Sequence, residues 1–315
     1  MTAVAKPIAQ PLRPASNRRP LRRRRVALYA FLTFMAITWL FPLVWAIYTA
    51  LRPYSDTLKN GYISLPGEIS LGNFADAWTR GQIPRFYLNS LIVTVPAVLL
   101  TLLIASMVAF AVSRFNWRFN LVALLIFTAG NLLPPQVIIV PLYRLYLLLP
   151  VPHLFGIPVD GANVPILSDT GKLYDQYTGL ILIHVMFQIG FCIFVLSNYM
   201  KTLSRELTEA ALADGAGVFR IYWNVILPLC RPALAALATL EFTFIYNDFF
   251  WALVLMKTGD KRPAVTALSN LQGQFFTDNN LLAAAALLVA IPTVLIYIAL
   301  QRQFISGLTL GSTKG

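Results

Sequence analysis

Polar and titratable side chains stand inside several long apolar runs of this sequence. His184 and Gln188 lie four positions apart in one run, and Asn247 and Asp248 follow each other in another. Polar groups are costly at membrane depth, so they indicate a bundle interior or an aqueous path rather than a lipid-facing surface. Their chemistry is hydrogen bonding to a polar solute, or transfer of a proton.

The candidates for lining such a path carry an amide, an imidazole, a carboxyl or a phenol group: Asn131, Gln136, His184, Gln188, Tyr246, Asn247 and Asp248. The alternative for Asn131, Gln136 and Gln188 is that they only join helices by hydrogen bonds. For His184 a hydrogen bond to a neighbouring helix is favoured over a proton relay, because no acidic residue is near it in sequence.

Signatures of an enzyme active site are missing from the sequence. There is no H-E-x-x-H, no G-x-S-x-G and no phosphate loop of the form G-x-x-x-x-G-K-S/T. The two cysteines, Cys192 and Cys230, have no metal-ligand spacing and no disulfide framework. We therefore predict a chain that is no enzyme by itself and binds no metal or cofactor of its own.

The composition predicts an integral membrane protein. Only 12% of the 315 residues are charged and 57% are hydrophobic, whereas soluble domains average about 25% charged residues. The net charge of +12 raises nucleic acid as an alternative partner. However, the arginines cluster in Asn17–Arg25, directly before an apolar run, which suits a cytoplasmic flank and anionic lipid.

Six apolar runs are long enough to cross a bilayer, which takes about 20 residues. The first is longer than a signal-peptide core and is predicted to be retained. Prolines in Leu132–Pro141 predict a kinked or broken third helix. The predicted spans are Val26–Ala50, Leu88–Val112, Leu121–Leu142, Thr178–Met200, Ala233–Met256 and Leu281–Gln301.

The charge distribution predicts both termini on the cytoplasmic side. Most of the 25 lysines and arginines fall in the first tail and in the segments after the second, fourth and sixth spans. Residues 1–25 are predicted to be a disordered basic tail, residues 26–87 the first span with an extracytoplasmic loop, and residues 88–315 the core domain. Residues 143–177, rich in Pro, Gly and Asp, are predicted to form a second, ordered outer loop.

The segment 203–228 is unusually polar for its position between two spans. Ala211 and Gly215 are four positions apart, so one strip of a helix here would lack large side chains and allow a partner to approach closely. Glu206 and Glu209 fall early in that helix, where the macrodipole favours negative charge. By shape alone, an ordinary amphipathic helix at the membrane surface remains the alternative.

The residues in this segment resemble the EAA loop of bacterial ABC importer permeases. "EAALADG" is followed, after nine residues, by "VILP", and the family pattern is Glu-Ala-Ala, three residues, Gly, nine residues, Ile-x-Leu-Pro. Val225 replaces the usual Ile. The form Asp214-Gly215-Ala216 is similar to the carbohydrate-uptake branch. The positions that match the pattern are Glu209, Ala210, Ala211, Gly215, Leu227 and Pro228.

Other segments extend the resemblance over residues 88–315. "PLY" at 141–143, "YNDFFWAL" at 246–253 and the tail "ISGLTLGSTKG" at 305–315 are similar to carbohydrate permeases, and the tail resembles that of MalG-type subunits. The outer loop at 143–177 is longer than in compact members of the family.

The resemblance implies an all-α membrane protein of the type I ABC importer permease fold, with six transmembrane helices and a cytoplasmic coupling helix. Asp214 joins the six matching positions as a predicted ATPase-coupling residue. The implied partners are a second homologous permease, two copies of a cytoplasmic ATPase that bind ATP and Mg, and an extracytoplasmic solute-binding protein. The implied location is the bacterial inner membrane, and the implied cargo is a sugar or oligosaccharide.

Two other classes of function remain as alternatives. An ion-coupled secondary transporter would need a buried carboxylate as its coupling site, with Asp248 or Glu241 as the candidate. A membrane enzyme acting on lipid-linked sugar would need paired acids or a metal site, whereas the acids here are scattered.

Overall fold

The chain folds as two units, residues 1–48 and residues 49–315. The computed structural model describes residues 19–115, 118–130, 134–151, 156–159, 162–165, 171–272 and 277–309. Residues 49–87 fall in the second unit, whereas the sequence analysis grouped residues 26–87 together. Of the predicted disordered tail, residues 1–18 lie outside the described residues, and the chain is helical from Arg19 onward.

Within the described ranges, four helices are long and apolar enough to cross a membrane, and each forms where the sequence has a long apolar run. They confirm four of the predicted spans, with longer bounds. A fifth candidate consists of two helical stretches, Val218–Leu229 and Arg231–Tyr246, which meet at 74°. The four long helices are α1 (Arg19–Ala50), α4 (Ile83–Arg114), α7 (Tyr177–Thr202) and α14 (Asn279–Thr309).

Two predicted spans are broken in the structure, so the described residues do not confirm six spans. Residues 121–142, predicted as one span with a kinked or broken helix, belong to α5 (Asn120–Ala129) and α6 (Pro135–Leu148), which confirms the break. Two adjacent prolines, Pro134 and Pro135, supply no backbone N–H and disfavour helix before them, which accounts for a new helix starting there.

The predicted fifth span, residues 233–256, is likewise two helices. These are α11 (Arg231–Tyr246) and α12 (Phe250–Leu255). Between them the Asp248 carboxylate accepts backbone N–H groups that begin α12, so a side chain takes over the bonds that a continuous helix would make.

The remaining elements are short. Four helices are α2 (Tyr54–Asn60), α3 (Gly72–Thr79), α8 (Glu206–Ala213) and α13 (Ala264–Ala267), with 3₁₀ turns at Gly259–Lys261 and Leu268–Leu271. After α8 come α9 (Val218–Ile221), a π-helical turn (Tyr222–Ile226) and α10 (Leu227–Leu229). In the predicted outer loop, β1 (Gly156–Val159) pairs antiparallel with β2 (Ala162–Pro165).

The core of the second unit is built around the pairing of α4 with α7. Small residues of α4, including Ala97, Ala105 and Ala109, are fully buried, which lets the two helix backbones approach closely. One cluster of buried residues joins α4 and α7 to α11 and α14. A second cluster joins the far ends of α4 and α7 to the segment 221–237.

A buried ion pair organises the predicted first outer loop. Arg52, only 1% exposed, donates from Nε to Asp56 Oδ2 at 2.8 Å and from Nη1 to the Gly61 carbonyl at 3.1 Å. The second carboxylate oxygen, Asp56 Oδ1, accepts from Asn60 Nδ2 and from the Gly67 amide. No hydrophobic side chain between residues 52 and 67 is buried. We therefore attribute the folding of this loop to the hydrogen bonds of Arg52 and Asp56.

We expect Arg52→Met to lower the thermal unfolding midpoint of the purified protein by several degrees, because Asp56 would be left without its counter-charge. The hydrogen bond from Arg52 holds the pKa of Asp56 below its usual value. The stabilisation is therefore complete above the ordinary carboxyl range and disappears as the pH falls through the lowered pKa. The difference between wild type and variant should shrink in acid.

The matched control is Arg80→Met. Arg80 also pairs with an acid four positions away, Asp76 at 3.2 Å, but its side chain is 81% exposed. Exposed ion pairs contribute little to stability, so the thermal unfolding midpoint of this variant should equal that of wild type. Equal midpoints for both variants would contradict the structural role of Arg52.

Candidate functional site

The predicted coupling helix exists as α8, and its start is set by a serine and two acids. Ser204 Oγ accepts a hydrogen bond from the Glu206 amide at 3.2 Å. Glu206 and Glu209 occupy the first turn of α8, where the free backbone N–H groups favour negative charge. Ser204, Glu206 and Glu209 therefore stabilise the N-terminus of α8, which explains why polar residues occur here between α7 and α11.

The end of α8 is a Schellman motif centred on Gly215. The Ala216 amide donates to the Ala211 carbonyl at 2.9 Å, and the Gly215 amide donates to the Leu212 carbonyl at 3.0 Å. Gly215 has φ +75°, in the left-handed region that glycine adopts without a steric cost. A Cβ at this position would meet no heavy atom within 4 Å. Backbone geometry alone therefore accounts for glycine here.

Most of the predicted coupling residues at the α8 helix are exposed, and the others are half-buried. Glu209, Ala210, Asp214 and Gly215 are exposed, and Ala211 is half-buried. Leu227 and Pro228 are half-buried on α10, at the end of the segment that follows α8. Four of the five predicted positions in residues 209–215 are thus open to a partner.

Three apolar residues of this surface were not predicted from the sequence. The exposed fractions are 42% for Leu207, 48% for Leu212 and 70% for Phe219. Exposed apolar side chains next to small residues are typical of protein contact surfaces. Leu207 and Leu212 are five positions apart, so the sequence does not indicate which of them faces the protein core. The structure shows that no other described part of the chain covers these three side chains.

The chain leaves this surface through an irregular segment that is buried again. Ile221, Tyr222 and Ile226 are almost fully buried in the second core cluster. The helix there widens to a π-helical turn and then bends between α10 and α11. Such turns in otherwise α-helical segments often occur at functional sites.

Two of the predicted pathway residues meet in the structure. His184 Nε2 lies 3.8 Å from Asp248 Oδ2, with both side chains largely buried. The Asp248 carboxylate also accepts from the amides of Trp251 and Ala252, at 3.4 and 3.1 Å. It therefore joins α7 to the start of α12. Their contact could not be read from the sequence, because the two residues are 64 positions apart.

Aromatic rings flank this polar pair. The rings of Phe187 and Trp251 are 5.2 Å apart, and Phe250 packs on Trp251. Gln188, one turn after His184, is half-buried. Carboxylate, imidazole, amide and indole groups in one place can bind a polar solute by hydrogen bonds and by ring stacking.

The other pathway candidates are apart from this cluster. The Tyr246 hydroxyl donates to the Val289 carbonyl, and its ring is buried against Phe242. Asn247 is exposed and donates to the Thr243 carbonyl of its own helix and to Thr293. Gln136 is exposed on α6. Asn131 lies outside the described residues.

Glu241, the other candidate carboxylate of the ion-coupled alternative, has different neighbours from Asp248. Its side chain is fully buried between α11 and α7, and Cys192 Sγ donates to its Oε1 at 3.2 Å. Oε2 has no hydrogen-bond partner among the described residues. Across all the residues that the structure describes, no group of three or more His, Cys, Asp or Glu is arranged to hold a metal ion.

A family model described as "Binding-protein-dependent transport system inner membrane component" matches residues 97–309. The chain is 32% identical over 292 residues to the xylose/arabinose import permease protein XacI of Haloferax volcanii, covering 90% of this chain and 92% of XacI. It is 28% identical over 251 residues to the melibiose/raffinose/stachyose import permease protein MelC of Bacillus subtilis, covering 79% and 83%.

Among solved structures, a chain of a bacterial ABC transporter involved in the import of the acidic polysaccharide alginate superposes with a TM-score of 0.73. The sequence identity is 21%, and the match covers 95% of this chain and 100% of the other. At this identity the likeness concerns the fold alone. It agrees with the all-α permease architecture predicted from the sequence.

Proposed function

This chain belongs to the family of inner membrane components of binding-protein-dependent transport systems, and from that premise we propose that it is the permease subunit of an ATP-driven carbohydrate importer. It forms one half of a translocation pathway and carries no catalytic site. The observation that carries the proposal is the exposed surface of α8, with small residues beside uncovered Leu212 and a tight turn at Gly215.

In this proposal, α8 is the coupling helix and lies in a cleft of a cytoplasmic ATPase subunit. The small side chains allow close backbone contact, and the exposed leucines supply apolar area. ATP shifts the transporter between inward- and outward-facing states only if the ATPase contacts α8 differently in each state. A rigid helix with a defined end transmits such a change better than a flexible loop.

The proposed assembly contains a second, homologous permease and two copies of the ATPase, which bind ATP and Mg. An extracytoplasmic solute-binding protein delivers the solute. The chain is placed in a bacterial inner membrane with both termini cytoplasmic, which puts α8 on the ATPase side. The basic residues of the N-terminal tail and of the first turns of α1 support this orientation.

The proposed cargo is a sugar or oligosaccharide. The support is twofold: the named relatives are sugar importers, and the cluster of His184, Asp248 and Trp251 combines hydrogen-bonding groups with a ring that can stack on a sugar face. Membership of a binding-protein-dependent family leaves the ion-coupled alternative, with Asp248 or Glu241 as its coupling site, without support.

We expect Leu212→Glu to abolish copurification of the ATPase with tagged chain, because a charge would lie in the middle of the proposed contact. The experiment coexpresses the chain with the neighbouring permease and ATPase genes and measures the ATPase recovered per permease from detergent extracts.

The matched control is Leu58→Glu, which changes another exposed leucine, 67% exposed, on α2. Its ATPase recovery should equal that of wild type. Wild-type recovery with Leu212→Glu would overturn the assignment of α8. ATP-independent uptake in energised vesicles would overturn the importer class.

A further inference from the structure

One face of α4 contacts both ends of the segment that carries α8. Ser106, Phe110 and Arg114 are spaced by four residues and therefore share one side of the helix. We call these three residues the α4 contact face. They lie in the last turns of α4, next to the second core cluster.

Arg114 holds the start of the segment. Its Nη1 donates to the Leu203 carbonyl at 3.1 Å and to the Ser204 carbonyl at 3.3 Å. These two residues follow the last turn of α7 and precede α8. A guanidinium here both satisfies free carbonyls at a helix C-terminus and ties that point to α4.

Ser106 and Phe110 hold the other end of the segment. The hydroxyls of Ser106 and Tyr222 are 2.7 Å apart in a buried hydrogen bond. Because Ser106 also donates to the Leu103 carbonyl, the Tyr222 hydroxyl is the donor to Ser106. The rings of Phe110 and Tyr222 are 5.5 Å apart. Tyr222 begins the π-helical turn that follows α9.

The opposite end of α4 is tied to a distant part of the chain. Asn89 Nδ2 donates to the carbonyls of Asp260 and Arg262, at 2.8 and 3.0 Å. Ser90 Oγ accepts from the Ala264 amide at 2.8 Å. The helix α4 thus connects the segment around α8 with residues 260–264, across the whole length of a membrane span.

We propose that α4 is the element that transmits movement of α8 across the membrane, and that the α4 contact face positions α8 for this role. The proposal rests on the proposed function of α8 as the ATPase contact. Energetic coupling between distant sites is carried by packed side chains and rigid elements. The helix α4 is continuous from Ile83 to Arg114 and packs along α7. It is tied to both ends of the moving segment, and again at its own far end, which satisfies that requirement.

The central test removes the buried hydroxyl pair with Ser106→Ala, Tyr222→Phe and the double variant. In proteoliposomes with the partner subunits and binding protein, we expect each single variant to lower the sugar transported per ATP hydrolysed by about two- to thirtyfold. The double variant should be no worse than the poorer single variant, because both changes remove the same bond. ATPase copurification should stay at the wild-type level.

The matched control is Ser197→Ala. Ser197 is fully buried on α7, and among the residues that the structure describes its hydroxyl bonds only the Phe194 carbonyl of its own helix, as Ser106 bonds Leu103. It lacks the cross-helix partner, so transport per ATP should match wild type. If Tyr222→Phe and Ser106→Ala transport as well per ATP as Ser197→Ala, the proposed role of α4 is wrong.

Arg114 provides an independent arm. Arg114→Ala should lower transport per ATP, and Arg114→Lys should restore part of it, because an ammonium can still donate to one of the two carbonyls. If wild type, Arg114→Ala and Arg114→Lys transport the same amount of sugar per ATP hydrolysed, Arg114 does not position α8. Failure of α8 as the ATPase contact is detected separately, by the Leu212→Glu copurification experiment.

Discussion

Gly215→Asp should abolish sugar uptake while the protein still reaches the membrane in normal amount. Asp is among the few residues that tolerate the left-handed region, which Gly215 occupies at φ +75°. Its Cβ would meet nothing within 4 Å, so the chain can still fold. The new carboxylate would instead stand on the exposed end of α8, next to Asp214, where the ATPase is proposed to bind.

The measurement is uptake of labelled sugar by cells that express the complete transporter, with membrane levels determined by immunoblot. The matched control is Gly217→Asp. Gly217 is also exposed and has open space around it, but its backbone is extended, with φ −66° and ψ 157°, which any residue adopts. We expect it to retain most of the uptake. Full uptake by the Gly215 variant would rule out tight contact at this turn.

Asp248→Ala should reduce uptake by more than about tenfold without loss of the ATPase from the complex. The change removes the acceptor for two amides at the start of α12, a loss comparable to that of a helix cap, about 1 kcal/mol. It also removes the carboxylate that lies 3.8 Å from His184. Both effects disturb the cluster that we propose to contact the sugar.

Asp248→Asn separates the two contributions. The Trp251 and Ala252 amides donate to different oxygens of Asp248, so the single amide oxygen of Asn keeps one of these two bonds, and the negative charge opposite His184 is lost. Its uptake should lie between that of wild type and that of Asp248→Ala. As a control, Asp76→Ala changes an exposed carboxylate on α3 that pairs with exposed Arg80, and this variant should transport normally. Normal uptake by Asp248→Ala would show that this cluster lies off the pathway.

Local sequence predicted much of the helical structure. A run of about 20 apolar residues has to form a helix in a membrane, because every backbone group must find its partner within the segment. This reasoning located α1, α4, α7 and α14. For residues 121–142 the prolines predicted the break that the structure shows. For residues 233–256 the reasoning failed, because the Asp248 side chain interrupts the helix there. A hydropathy pattern measures apolar character and does not report where backbone hydrogen bonds are exchanged for side-chain bonds.

The candidate site was predicted to a similar extent. The predicted coupling residues Glu209 to Gly215 lie within one short stretch, so their register in the sequence was sufficient to predict a helix in the segment 203–228. The contact between His184 and Asp248 was not predictable from spacing. Neither was the exposure of Leu207, Leu212 and Phe219, because the same residue types at the same spacing could equally face a core.

The sequence by itself therefore determined the membrane class of this protein, four of its spanning helices and the position of α8, since all of these depend on residues near one another in the chain. The tertiary structure decided which polar residues meet. It paired His184 with Asp248, buried Arg52 with Asp56 and brought Ser106 to Tyr222. The contacts of His184 and Ser106 depend on how α7 and α4 pack against the rest of the chain, and that packing is set by the shapes of many small buried side chains together.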